Sequence, residues 1–183
     1  MKHVINPDLL GRQVEVVLVG AGGNGSRMLE RLVSLHRAMV ARGHPYGLHV
    51  TVVDPDTVSE SNIGRQAFYP SDVGLPKAVV LAHRVNMALE GVVWDAKVCM
   101  VGALTGYQRA DIVIGAVDNR AARKQILAKF KQTYGKPVYW LDMGNRKDDG
   151  QVVLGQIPVD KELPSPQRLP HIAELYPEMV DPS

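Results

Sequence analysis

Cysteine is nearly absent from this chain, and long apolar runs are missing altogether. The 183 residues include one cysteine, Cys99, and no C-x-x-C pair. This excludes an intrachain disulfide and the paired thiols of a structural zinc site, and a reducing cytoplasm is the expected compartment. No apolar stretch is long enough to span a bilayer, and the first ten residues lack the core of a secretory signal. A formal net charge of +2 gives no indication of a nucleic-acid or membrane partner.

Strand-like and helix-like segments alternate along most of the chain. Short β-branched runs predict strands, and apolar residues recurring at helical spacing predict helices between them. The predicted strands are Val14–Val19, Leu48–Val53, 92–100, 111–117, 137–142 and 151–157, and the predicted helices are 26–42, 75–89 and 119–134. This alternation predicts a Rossmann-like, doubly wound α/β fold, with a mainly parallel sheet and helices on both faces.

The alternation stops near residue 157, which divides the chain into two predicted parts. Residues 1–157 form the predicted domain. Residues 158–183 contain several prolines and one short candidate helix near His171. We therefore expect a proline-containing tail, or the start of a truncated crossover segment.

A glycine-rich turn, V-G-A-G-G-N-G-S, follows the first predicted strand. Gly20, Gly22 and Gly25 occupy the positions of a G-x-G-x-x-G motif, with Gly23 among them. Glycines here allow backbone N–H groups to approach a phosphate at a helix N-terminus. Asp54 ends the second predicted strand, where an acid commonly binds ribose hydroxyls. A merely tight strand-to-helix turn is the alternative, and the turn alone does not distinguish NAD from ATP.

Charged and polar residues beyond the second strand favour a triphosphate. The stretch S-E-S-N-I-G-R-Q contains Arg65, and Lys77 and Asp118 follow later strands or loops. Arginine, lysine and a carboxylate-bound metal are what chemistry at a phosphate requires. Each has an alternative when taken singly: Arg65 as a surface arginine, Lys77 as a lysine on a solvated helix face, and Asp118 as a helix N-cap. Because all three follow carboxyl ends of strands, we expect them to converge on one ligand site.

Four motifs together identify a family resemblance. V-G-A-G-G-N-G, V-V-D-P-D-T-V-S-E-S-N-I-G-R-Q, D-V-G-L-P-K-A and V-D-N-R-A-A-R resemble the ThiF/MoeB/ubiquitin-activating adenylation domain over about residues 14–156. The ending L-P-H-I-A-E-L-Y-P-E looks like ThiF-type members of bacterial PRTRC gene clusters. The resemblance implies an ATP- and Mg²⁺-dependent adenylyltransferase that activates the C-terminal carboxylate of a ubiquitin-like or sulfur-carrier-like protein and releases pyrophosphate. It also implies a homodimer.

The resemblance assigns a role to each candidate residue. The glycine turn (Gly20, Gly22, Gly23, Gly25) would cradle ATP, Asp54 would bind its ribose, and Asp56 would support that strand end. Asn62 and Arg65 would contact the phosphates, Gln66 would close the loop, Lys77 would neutralise the α- and β-phosphates, and Asp118 would hold Mg²⁺. Arg65, Lys77 and Asp118 are the predicted catalytic residues. Arg123 matches the arginine of the D-N-x-x-x-R pattern and is expected to be structural.

The sequence also departs from the family pattern. Arg12 does not stand in the motif of the N-terminal arginine that reaches a partner's site in some members. No cysteine follows the fifth predicted strand where thioester-forming members carry one, and Cys99 is expected to be a small buried hydrophobe. Two alternatives therefore stay open. One is an NAD-binding oxidoreductase, although a catalytic His, Tyr or Lys is not evident, and the other is a non-catalytic module that binds a nucleotide or a partner.

Overall fold

The computed structural model describes residues 3–106, 110–131, 137–145, 148–158 and 168–181. Six strands form one sheet in the order β3-β2-β1-β4-β5-β6, parallel except for the last pair. The strands are β1 Val14–Val19, β2 Leu48–Val53, β3 Asp95–Lys97, β4 Ile112–Gly115, β5 Val138–Asn145 and β6 Gly150–Ile157. The helices are α1 Gly23–Ala41, α2 Lys77–Ala88, α3 Arg120–Phe130 and α4 Ile172–Leu175.

Helices cover both faces of the sheet, which confirms the predicted Rossmann-like α/β fold. α1 and α2 bury Leu29, Leu81 and other apolar residues in a core on one face. α3 buries Ile126 and Phe130 in a second core on the other face. The central strands read as continuous apolar runs because both their faces are covered.

Successive strands are added on opposite sides of β1, which creates a crevice. β2 and β3 lie on one side, whereas β4 and β5 lie on the other. Open α/β sheets bind ligands in the crevice outside the carboxyl ends of the strands at such a switch point. The loops that follow β1, β2 and β4 all meet at this edge.

Several predicted boundaries were wrong. α1 begins at Gly23, three residues before the predicted start at Ser26, because the end of the glycine turn is already its first helical turn. The predicted strand 92–100 contains only the three-residue β3, and Cys99 lies beyond its end. β6 runs antiparallel to β5, since the two strands form a hairpin. The end of the predicted helix 119–134 falls partly outside the described residues.

The described part of the C-terminal segment, residues 168–181, packs against the sheet. Ile172 and Val180 join the second core. A Cβ on Gly155 of β6 would lie 2.3 Å from the Cα of His171, so the segment crosses this strand in close contact. The backbone N–H of Gln156 donates to the carbonyl of Leu169 at 2.9 Å. The division between domain and tail at residue 157 stays a prediction.

Among the residues that the structure describes, none of the helices combines the length and apolar character needed to cross a membrane.

Candidate functional site

A cleft of about 740 Å³ opens at the carboxyl ends of the parallel strands. Its walls are the glycine turn, the residues after β2, the end of the 59–66 loop, the start of α2, the segment after β3 and the turn after β4. The volume lies within the range of small-molecule and cofactor sites, roughly 300–1,000 Å³. Nine of the eleven predicted site residues line it: Gly20, Gly22, Gly23, Asp54, Asp56, Arg65, Gln66, Lys77 and Asp118.

The glycines of the turn have two different roles. Gly20 has φ +96°, and a Cβ there would lie 2.5 Å from the carbonyl oxygen of Ala116. A Cβ on Gly25 would lie 1.8 Å from the carbonyl oxygen of Gly20, and Gly25 is not part of the cleft wall. These two glycines therefore let β1, β4 and α1 approach closely. At Gly22 and Gly23, by contrast, a Cβ would meet its nearest neighbour only at 4.0 Å, so the space beside them suits a ligand.

The N-terminus of α1 lies in the cleft wall. Its N-cap is Gly22, which has no side chain with which to cap the helix, and its first turn contains no acid. The first N–H groups of a helix carry partial positive charge and suit a phosphate. Because α1 is 19 residues long, its dipole is fully developed.

Asp54 ties the glycine turn to the loop after β2. One carboxylate oxygen accepts the N–H of Ala21 at 2.6 Å, and the other accepts the N–H of Asp56 at 2.8 Å. Burial raises the pKa of Asp54, while these hydrogen bonds and the charge of Lys77 oppose the rise. Each carboxylate oxygen can accept a second hydrogen bond, as a ribose contact requires.

Lys77 is a buried cation in the cleft wall rather than a lysine on a solvated helix face. It is the first residue of α2 and is only 7% exposed. Its Nζ lies 3.1 Å from Oδ2 of Asp56, whose side chain is mostly exposed. Its backbone N–H donates to the carbonyl of Asp56 at 2.9 Å. The ammonium group is thus held in position beside the cleft, where low solvent access strengthens its effect on an anion.

Of the polar residues in the 59–66 loop that were predicted to bind ATP, one stabilises the loop itself and two line the cleft. Asn62 is buried, and its Oδ1 accepts the N–H of Ser59 within a short 3₁₀ turn, so it stabilises the loop and does not line the cleft. Arg65 is exposed and lines the cleft, and its Nε donates to the carbonyl of Ser61 at 3.0 Å. Gln66 also lines the cleft, and its buried Oε1 has no hydrogen-bond partner among the described residues.

Asp118 is an exposed acid on the turn after β4. The N-cap of α3 is its neighbour Asn119, whose Oδ1 accepts the N–H of Ala122 at 2.8 Å, so the N-cap alternative for Asp118 was wrong. No group of three or more His, Cys, Asp or Glu ligands occurs within the described ranges. A single carboxylate still suits Mg²⁺, which commonly binds one or two carboxylates together with substrate phosphates and water.

Arg123 is structural, as expected. Its Nε donates to both carboxylate oxygens of Asp142 at 3.0 and 3.1 Å, and its Nη2 donates to the carbonyl of Val117 at 3.0 Å. Both side chains of the ion pair are buried. The pair fixes the turn that carries Asp118 against β5. No sequence pattern pointed to Asp142, because its role depends on a partner from another element.

Sequence reasoning missed part of the cleft wall. Cys99 packs against the second core as the expected small hydrophobe, but it is only partly buried and lines the cleft with Met100 and Val101. The predicted strand 92–100 ends at Lys97 in the structure, so these three residues lie beyond the strand end, in the cleft wall. Asn24 and Asn145 also line the cleft. Asn24 stands within the glycine turn V-G-A-G-G-N-G, and this polar side chain among glycines was the one sequence feature that could have marked it as a cleft residue.

The fold and the glycine turn at its switch point define this protein as a Rossmann-like α/β domain. The chain belongs to the ThiF family, whose profile matches residues 10–154. This confirms the family resemblance, whereas the PRTRC branch stays a prediction.

The chain is similar to several curated relatives over about 60% of its length. It is 35% identical over 116 residues to the sulfur carrier protein adenylyltransferase of Thermus thermophilus, covering 61% of this chain and 39% of that protein. Over 115 residues it is 28% identical to the adenylyltransferase and sulfurtransferase UBA4 of Yarrowia lipolytica (61% and 26%). It is 32% identical over 123 residues to ubiquitin-like modifier-activating enzyme 6 of Mus musculus (63% and 11%). The matched region is thus well under half of each relative.

Proposed function

We propose that this domain catalyses ATP- and Mg²⁺-dependent adenylation of the C-terminal carboxylate of a ubiquitin-like or sulfur-carrier-like protein. The observation that carries the proposal is the convergence of Lys77, Arg65 and Asp118 with an uncapped helix N-terminus on one cleft. The names of the relatives, which include adenylyltransferases and modifier-activating enzymes, support the same reaction class.

The proposed reaction is a displacement at the α-phosphorus of ATP. A carboxylate oxygen forms a new P–O bond, the bond between the α-phosphorus and the bridging oxygen breaks, and that oxygen leaves with its electron pair as pyrophosphate. The products are an acyl-adenylate and pyrophosphate. Because the carboxylate is already a nucleophile, the site needs no general base. Its task is to hold the reactants together and to neutralise charge.

Each side chain has a part in this task. Lys77 and Arg65 neutralise the phosphate oxygens, and the α1 N-terminus with Gly22 and Gly23 receives the phosphates. Asp54 accepts hydrogen bonds from the ribose. Asp118 would hold Mg²⁺, which supplies charge neutralisation on the phosphates when bound. When ATP binds, the ammonium group of Lys77 exchanges its ion pair with Asp56 for one with a phosphate oxygen. This exchange costs little free energy, because the Asp56 carboxylate is mostly exposed and stays hydrated.

The finer parts of the proposal rest on the resemblance. Residues 1–157 are the adenylation domain, the protein acts in the cytoplasm as a homodimer, and it belongs to the PRTRC branch. Mass measurement by light scattering tests the homodimer directly.

Calorimetric titration with ATP·Mg²⁺ and with NAD⁺ tests the proposal. We expect ATP to bind, and Lys77→Met and Arg65→Ala to weaken it by roughly 10- to 100-fold, because each removes a charge-assisted contact. Arg37→Ala, on an exposed and distant part of α1, is the matched control and should leave binding unchanged. Preferential binding of NAD⁺, unaffected by Lys77→Met, would overturn the adenylation proposal in favour of an oxidoreductase.

A further inference from the structure

Two hydrogen bonds hold the peptide unit of Ala67, which follows Arg65 by two residues. The backbone N–H of Ala67 donates to Oγ of Ser26 at 3.2 Å, and its carbonyl accepts from Nη1 of Arg84 at 2.7 Å. Ser26 is buried in the first turn of α1, and Arg84 lies on α2. Both helices begin in the cleft wall. These two bonds, the Ala67 clamp, therefore tie the loop after β2 to both helices.

Arg84 makes two further contacts with the same loop. Its Nη2 donates to Oδ2 of Asp72 at 2.7 Å, and its Cζ lies 4.8 Å from the centroid of the Tyr69 ring. The same carboxylate oxygen accepts the backbone N–H of Tyr69 at 2.7 Å, and Asp72 is buried. A guanidinium group is a rigid planar fork, so it fixes its acceptors in one relative orientation. Arg84 therefore holds residues 67–72 in place as one unit.

Arg65 lies on the loosely packed turn between Asn62 and Ala67. Gly64 has φ +80°, and a Cβ there would meet no atom within 4 Å, so the chain just before Arg65 is conformationally permissive. After Arg65, Phe68 is buried in the first core. Its apolar contacts are non-directional, whereas the two bonds to Ala67 are directional. The direction in which the chain presents Arg65 therefore depends on the Ala67 clamp.

We propose that Arg84 is a positioning residue, which holds the Arg65 guanidinium at the phosphates of ATP through the Ala67 clamp. This inference rests on the proposed adenylation. Arg84 does not line the cleft, so it acts through Arg65 and not by contact with ATP. Without Arg84, the turn that carries Arg65 adopts more conformations, and ordering it reduces the free energy of ATP binding.

Calorimetric titrations with ATP·Mg²⁺ and with adenosine test this inference in the wild type, Arg84→Met, Arg65→Ala and the double variant. We expect Arg84→Met to weaken ATP binding roughly three- to tenfold. Adenosine affinity should stay unchanged, because adenosine has no phosphate for Arg65 to contact. In the Arg65→Ala background, Arg84→Met should cause no further loss of ATP affinity, since the two residues act as a unit. Arg37→Met, on the exposed face of α1, is the matched arginine control and should bind both ligands as the wild type does.

Three results would overturn the inference. They are an unchanged ATP affinity in Arg84→Met, an equal loss for ATP and adenosine, which a purely structural role would cause, and the same loss of ATP affinity with and without Arg65. If Arg84→Met does not fold, the pair Arg84→Met and Asp72→Asn replaces it, because no unpaired carboxylate then remains, and the same outcomes apply. If the wild type binds no ATP, the nucleotide-site proposal itself fails.

Discussion

Replacing Arg123 should destabilise the fold strongly, because its partner carboxylate is buried. Arg123 is 3% exposed and Asp142 is 0% exposed, and the guanidinium also donates to the carbonyl of Val117. Arg123→Met keeps most of the side-chain volume but leaves Asp142 without a counter-charge. Breaking a buried ion pair by removing one partner costs about 3–5 kcal/mol. For a chain of this size, that corresponds to a fall in melting temperature of roughly 6–20 °C.

The destabilisation should depend on pH in a defined direction. Burial raises the pKa of Asp142, and the charge of Arg123 and its hydrogen bonds oppose the rise. Without Arg123, the pKa of Asp142 in the folded state rises further. An acid whose folded-state pKa exceeds its unfolded value contributes stability at low pH, and this contribution is lost as the pH rises through the folded pKa. The deficit of the variant should therefore be smaller at about pH 5 than at about pH 8.

Urea unfolding of three variants measures this effect. Arg123→Met should lower the free energy of unfolding by the amount above, whereas the double variant with Asp142→Leu should recover most of it, since no buried charge remains. Arg120→Met, on the exposed start of the same helix, should change stability by less than about 0.5 kcal/mol. A loss below about 1 kcal/mol for Arg123→Met, or a double variant as unstable as the single one, would refute the buried-pair reasoning.

Three further predictions follow from local geometry. Gly25→Ala should destabilise the fold by about 1–3 kcal/mol or more in chemical unfolding, because its Cβ would meet a backbone oxygen, whereas Gly22→Ala should leave the fold intact. A hydrogen bond to Glu15 raises the pKa of His49. The stabilisation by protonated His49 should therefore be present below about pH 6.5 and lost as the pH rises through the folded-state pKa. In thermal melts, the melting temperature of His49→Gln should depend less on pH than that of the wild type. Burial lowers the pKa of His171, so its contribution to stability should be present above about pH 6.5 and lost on acidification. The loss should be measured as lower hydrogen-exchange protection factors, corrected for the intrinsic pH dependence of amide exchange, in residues 168–181.

Each of these predictions has an opposing result. Equal stability of Gly25→Ala and Gly22→Ala would contradict the close-packing role of Gly25. Unchanged pH dependence in His49→Gln would show that the bond to Glu15 contributes nothing measurable. For His171, the control is His171→Gln, in which the protection factors of residues 168–181 should no longer fall between about pH 7 and pH 5.5. If the protection factors still fall in His171→Gln, the loss of protection belongs to another titrating group.

Sequence patterns alone predicted the fold class and the edge of the sheet where the candidate site lies. β-branched runs, helical periodicity and the glycine turn are local patterns, so they can be read from neighbouring residues. Parallel strands also bring their carboxyl ends to one edge, which is why residues after separate strands were expected to meet. Nine of the eleven predicted site residues line the cleft for this reason.

The contacts of individual side chains became clear from the packing of the folded chain. Lys77 is buried beside Asp56, Asn62 supports its own loop, and Arg123 pairs with Asp142. The contact between Asn24 and Asn145 joins residues 121 positions apart. Such pairings depend on how separate elements pack, and composition and spacing within one element carry no information about them. Sequence pattern therefore located the cleft, and packing assigned each residue in it to scaffold or ligand surface.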